Sequence, residues 1–212
     1  MPTAGAVRTT VVVALERAED VQRLTALLTA TPDLEVVGEA TSGADALANL
    51  AAAVPDVALI GLDLPDHDGV DLCTELDERL PGVRVVVVAD QDDDRLWSAL
   101  LAGAMGVLLY ADLEEDGAID PAWAVRRAAR GEAQLTAGSA ALLLDATADA
   151  GAMGPTARER DVLTRLAAGR PSSDIAAEDE VPDRLVNLAV GGALMRYRNA
   201  LEDERAAWPP EI

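Results

Sequence analysis

Residues 55–69 read Pro55-Asp56-Val57-Ala58-Leu59-Ile60-Gly61-Leu62-Asp63-Leu64-Pro65-Asp66-His67-Asp68-Gly69. The run from Val57 to Ile60 is short and wholly apolar, the pattern of a strand covered on both faces. It is followed by a turn signal, Pro65 to Gly69. Working outward, Val11 to Leu15, Val83 to Val88 and Val107 to Leu109 repeat that strand pattern, and Leu34 to Val37 is a fifth candidate. Between them apolar residues recur at helical spacing: Val21, Leu24, Leu27, Leu28; Ala44, Leu47, Leu50; Val70, Leu72, Leu76, Leu80; Leu96, Ala99, Leu100; and Trp123 to Ala129 after Pro121. Such alternation predicts a doubly wound five-stranded parallel α/β domain with right-handed crossovers and its site at the carboxyl ends of the strands.

At 212 residues the chain suits two modest domains, on a prior of about 150 residues each. Half of it is hydrophobic while only 2% is aromatic, so Ala, Val and Leu must fill the core. Residues 1–131 form the α/β domain. Residues 132–154, rich in Ala, Gly, Ser and Thr, read as a linker with a short helix at Leu142 to Leu144. In 155–212 the strand signal vanishes and three helices follow: Val162 to Ala167, a short one at Ile175-Ala176, and one from Val186 onward.

The net charge is −21, and every one of the 17 cations is Arg. Residues 1–150 hold 9 Arg against 27 acids, and residues 151–212 hold 8 against 11, so neither part has the basic footprint of a polyanion binder. A single cysteine, Cys73, excludes an internal disulfide and reads as a small buried hydrophobe in a reducing compartment. Residues 1–10 hold no long apolar run with a cleavage-like end, and no membrane-length apolar stretch occurs elsewhere, so the expectation is a soluble, cytoplasmic protein with no membrane partner.

Both parts resemble one family, the NarL/FixJ-type response regulators, in which a receiver (flavodoxin-like) domain precedes a LuxR-type helix-turn-helix. The resemblance is carried by Pro32 to Ala40, Pro55 to Ile60, Pro65 with Asp68-Gly69, and Ala102-Gly103-Ala104 followed by Gly106. In the second part Thr156 to Leu163 resembles the opening of the helix-turn-helix, and Ile175-Ala176 its second helix. The resemblance implies a two-component transcription regulator.

Such a receiver phosphorylates an Asp at the end of its third strand, with Mg²⁺ on carboxylates and a hydroxyl and a Lys on the phosphoryl oxygens. In this chain those places fall on Gly61, on Leu15 and Glu16 for the acid pair, on Ala89 and on Tyr110. The resemblance therefore carries over the fold without the chemistry, and the receiver is atypical. Asp63 is a substitute phosphoacceptor only if a displaced carboxylate suffices, and about 1 Å of misplacement costs ~100-fold in an oriented reaction. Asp63, Asp66, Asp68, Asp90 and Glu16 otherwise read as solvated carboxylates, without the spacing of a metal cage. No cofactor is implied. His67 reads as an exposed turn residue, and the run Asp90 to Asp94 as charge at the amino end of a helix.

In the second part, Asn187 is the polar reader on the helix that would enter the groove, with Arg158, Arg160, Arg184, Arg196 and Arg198 as phosphate contacts. Asp179-Glu180 stands where the family usually has Leu-Gly. Val186, Val190, Leu194 and Tyr197 form an apolar stripe for packing, while Leu185, Leu188, Gly192 and Met195 form a second, a candidate protein interface. The alternative is a merely loosened helix, since Gly191 and Gly192 each cost about 1 kcal/mol in a helix interior. No Gly or Pro interrupts Asn199 to Ala207, so the helix is expected to run on to Trp208.

Three functions compete: a phosphorylation-independent regulator working mainly by contact with itself or another regulator as a homodimer or heterodimer, a dimeric LuxR-type DNA-binding factor, and a small-molecule sensor using a vacated receiver pocket. An enzyme is not expected, because no nucleophile, base and orienting group coincide.

Overall fold

The computed structural model describes residues 8–90, 93, 95–113, 120–132, 135, 137–148 and 154–207. Gln91, Asp92, Asp94 and Trp208 lie outside the described residues, as do the side chains of Trp97 and Arg184. The elements run β1 (Thr9–Ala14), α1 (Ala18–Thr29), β2 (Leu34–Ala40), α2 (Gly43–Ala53), β3 (Val57–Gly61), β4 (Asp63–Leu64), β5 (His67–Asp68), α3 (Gly69–Arg79), β6 (Arg84–Ala89), α4 (Leu96–Leu101), β7 (Gly106–Leu109), α5 (Pro121–Ala129), α6 (Ala137–Ala146), α7 (Ala157–Ala167), α8 (Ser172–Glu178) and α9 (Asp183–Ala207). A 3₁₀ turn, Tyr110–Leu113, follows β7. Contacts divide the chain into two compact units, residues 1–131 and 132–212.

In the first unit the five long strands form a parallel sheet in the order β2-β1-β3-β6-β7, as the alternating pattern predicts. The three central strands are buried on both faces because their side chains are Val, Leu, Ile and Ala throughout. The edge strand β2 alternates buried and exposed residues instead. The order reverses direction between β1 and β3, where Ala14 pairs with Ile60, so Leu15 and Gly61 lie side by side at the crevice where such sheets bind ligands. Register brings the neighbouring strand ends to the same rim: Gly61 pairs with Val88, and Ala89 with Leu109. Cys73 is buried, and burial pushes its thiol up to about 12.

In the second unit α6, within the segment read as a linker, packs on α7 through buried Ala140 and Leu143. α7 begins at a capping box: Thr156 Oγ1 accepts from the Glu159 N–H, and the Glu159 carboxylate accepts from the Thr156 N–H at 2.7 Å. The long helix α9 packs on α7 and α8 and continues to Ala207.

The turn between α8 and α9 carries a visible cost. Glu180 has φ +55°, the left-handed conformation that glycine adopts without penalty. Glu180→Gly is therefore expected to stabilise the second unit by roughly 0.5–1 kcal/mol, the relief of that strain minus the added freedom of the unfolded chain. Denaturant unfolding of the two proteins, with equal m-values, measures it; a variant less stable than the parent would contradict it.

Candidate receiver rim and helix-turn-helix face

At the rim the residues expected at the reacting positions come together, and what they build is a plug. Leu15 is fully buried and Ala89 nearly so, while Glu16 points to solvent. A Cβ placed on Gly61 would lie 3.3 Å from Tyr110 Oη, 3.4 Å from Leu15 Cα and 3.4 Å from Leu15 Cδ2. Tyr110 is held there by Arg17, whose guanidinium stacks over the ring at 5.1 Å from its centroid while donating to Asp20 at 2.5 Å. Burial, with the charge of Asp20, pushes the Tyr110 hydroxyl up to about 12, so it stays protonated in neutral solution. The expectation of a vacated pocket is thus corrected: the space left by the smaller residues at 61 and 89 is occupied by the larger ones at 15 and 110.

Nor are the surrounding acids merely solvated. Asp66 receives the Gly43 and Ala44 N–H groups at 2.6 and 3.0 Å, and these bonds hold its carboxyl below the usual range and cap α2. His67, read as an exposed turn residue, is half-buried against Gly43, where any side chain would collide with it. Asp63 is exposed and accepts from Arg95 Nη2 at 2.7 Å. Asp93 also departs from the expected capping role: it accepts from the Arg95 guanidinium at 2.7 and 3.1 Å, which lowers its pKa, and from the Arg95 N–H at 2.9 Å. Among the described residues, no group of three or more His, Cys, Asp or Glu side chains is arranged to hold a metal ion. Arg95 was missed by the reading of the sequence, although it is the sole cation between Arg84 and Arg126.

On the second unit the groove-reading set comes apart. Asn187 is 3% exposed and so is no base reader, because helical spacing places it with Val190 and Leu194 on the packed side of α9. Arg196, offered as a phosphate contact, reaches the Glu159 carboxylate at 3.2 Å instead. Burial opposes the charge on Glu159, but the Thr156 N–H and hydroxyl and the Arg196 guanidinium outweigh it and keep the acid below its usual range. Two further cations are tied up: Arg165 pairs with Asp179 at 2.8 Å and with Asp161, and Arg170 pairs with Glu178. Asp179, in place of a core apolar residue, thereby becomes a strut between α7 and the end of α8. Arg158 is exposed, and Arg160 and Arg198 are partly so.

Of the second stripe, Leu185, Leu188 and Met195 are 40%, 49% and 50% exposed, which is unusual for adjacent large apolar side chains on one helix. Gly192 does not belong with them. A Cβ there would sit 2.6 Å from Glu159 Oε1, so the glycine makes room for an acid of α7 and not for an approaching helix. Trp123, on α5, is 40% exposed and stacked by Arg127 at 4.7 Å. Among the described residues, no helix is long and apolar enough to cross a membrane.

Comparison with known proteins agrees with this geometry. The response regulator receiver domain model matches residues 12–110. The chain is similar to the DNA-binding transcriptional activator DevR/DosR of Mycobacterium tuberculosis, 31% identical over 192 residues that cover 88% of this chain and 87% of that protein. It is similar to the nitrate/nitrite response regulator NarL of Escherichia coli K12, 30% identical over 190 residues and 86% of each chain. The receiver domain of a Mycobacterium tuberculosis NarL superimposes with a TM-score of 0.53 at 29% identity, over 58% of this chain and 98% of that one. With relatives matched across both units, and with the five-stranded sheet and the C-terminal helices both in place, the chain belongs to the NarL/LuxR family of response regulators.

Proposed function

We propose that this protein is a transcription regulator that works without phosphorylation, through the pairing of its C-terminal unit with a second copy of itself. The observation that carries the first half is Gly61, with Leu15 and Tyr110 packed over the place of the reacting carboxylate. Asp63 is no replacement: it lies two residues further along, engaged by Arg95. Incubation with Mg²⁺ and acetyl phosphate, or with beryllofluoride, is expected to leave mass and hydrogen exchange unchanged. Gly61→Asp alone is expected to gain no donor-dependent dimerisation, since Leu15 and Tyr110 still fill the rim. An aspartyl phosphate mapped to Asp63, or switching restored by that one substitution, would overturn this reading.

The second half rests on the exposed stripe of α9. A second copy is the occupant that charge favours on this unit: residues 132–212 hold 8 Arg against 14 acids, whereas residues 1–131 hold 9 against 24. Two copies therefore repel least when they meet through the C-terminal units.

A second reading keeps DNA in the function. DevR/DosR is named as DNA-binding, and Arg158, Arg160 and Arg198 remain outward on this unit. Binding to duplex DNA at two salt concentrations separates the readings, because a few phosphate contacts impose a steep salt slope.

A further inference from the structure

The β4–β5 hairpin is held by very little of its own. Each strand is two residues long, and register sets Asp63 opposite Asp68, two like charges across one ladder position. Two short strands with a repulsive pair do not form a stable hairpin in water. What stands between them is Arg95. Its Nη2 donates to Asp63 at 2.7 Å, and its Nη1 donates to Asp68 at 3.4 Å and to the Leu62 carbonyl at 3.2 Å. The remaining donors go to Asp93, from Nη2 at 2.7 Å and Nε at 3.1 Å. All five N–H donors of the guanidinium thus have acceptors, drawn from two segments some thirty residues apart. The Leu62 carbonyl also accepts from the Gly69 N–H at 3.1 Å, so the start of α3 is tied into the same knot.

We propose that Arg95 is an ionic latch: a cation built into the chain that fastens the β4–β5 hairpin and the start of α3 to the segment leading into α4, and that loosens as ionic strength rises. The latch goes beyond the functional reading above and stands on distances alone. Its geometry asks for arginine specifically. A lysine ammonium offers three donors from one point and cannot span Asp93 in bidentate fashion while reaching Asp63, Asp68 and a carbonyl. Because Arg95 and Asp63 remain partly solvated, mobile ions compete for them, and the Debye length falls from about 10 Å at 0.1 M salt to about 3 Å at 1 M.

The test is hydrogen exchange followed by mass spectrometry on the full-length protein. In the unmodified chain, amides of residues 62–69 are expected to exchange roughly tenfold faster at 1 M than at 0.1 M NaCl, while the β1 and β3 amides stay protected. Arg95→Gln and Arg95→Lys are both expected to raise exchange of 62–69 by about tenfold at low salt and to abolish the salt response. Exchange of 62–69 indifferent to salt in the parent protein would overturn the latch, whether or not the variants fold. So would an Arg95→Lys protein as protected as the parent, since a point charge would then suffice.

Discussion

Gly69→Ala is expected to cost the first unit about 3 kcal/mol, seen as a fall of roughly 10 °C in its melting transition. The added Cβ would lie 2.6 Å from the Gly61 carbonyl oxygen and 2.6 Å from Leu62 Cα, both backbone atoms at the end of β3. No rotamer change relieves a clash with backbone, so the start of α3 must move away from the sheet. That movement breaks the Gly69 N–H bond to Leu62 and disturbs Leu72 and Leu76, both buried by the same helix. Gly82→Ala is the control, because a Cβ there meets nothing within 4 Å, and its change should stay within about 0.5 kcal/mol. Calorimetry on the full-length proteins reads both. If Gly69→Ala melted with the parent, the tight contact between α3 and β3 would have been misjudged.

The largest effect on assembly is expected from Leu188→Glu combined with Met195→Glu. Both side chains are about half exposed, so the substitutions should leave the helical circular dichroism intact. In a self-pairing face they place two charges where two apolar anchors were. Central anchors of interfaces are commonly worth at least ~2 kcal/mol each, so association should weaken by about 100-fold or more in sedimentation equilibrium. Single substitutions should fall between parent and double variant. A self-complex that survives, with specific DNA binding lost instead, would hand α9 back to groove reading. Unchanged self-association together with loss of a different protein partner would show that the face serves another regulator.

What could be read from the sequence divides along a physical line. Val57 to Ile60 and its four companions announce themselves because burial on both faces demands unbroken apolar runs, and that demand is local. The plug at Gly61 was half legible: the substitutions at 15, 61, 89 and 110 are visible one by one, but whether they leave a hole depends on how Leu15 and Tyr110 fill it, which is a matter of packing. Arg95 was invisible for a different reason. Its partners Asp63 and Asp68 are 32 and 27 residues away, and no periodicity links them. The error at Asn187 came from treating polarity as a sign of exposure. Counting from Val190 and Leu194 back by three and seven residues would have placed it on the packed side.

The contact between Gly192 and Glu159 binds the history of two helices together. With Glu159 Oε1 so close to the α9 backbone, any drift of position 192 to a residue with a side chain must be preceded or matched by a shorter residue at 159. That exchange would at once strip α7 of its capping box and leave Arg196 without its acid. Arg196 would then be a cation released on the surface of α9. Divergence at one glycine therefore has a direction: descendants of this chain that lose it are pushed toward a more basic C-terminal unit, so pairing with protein and affinity for a polyanion become alternatives separated by a single codon.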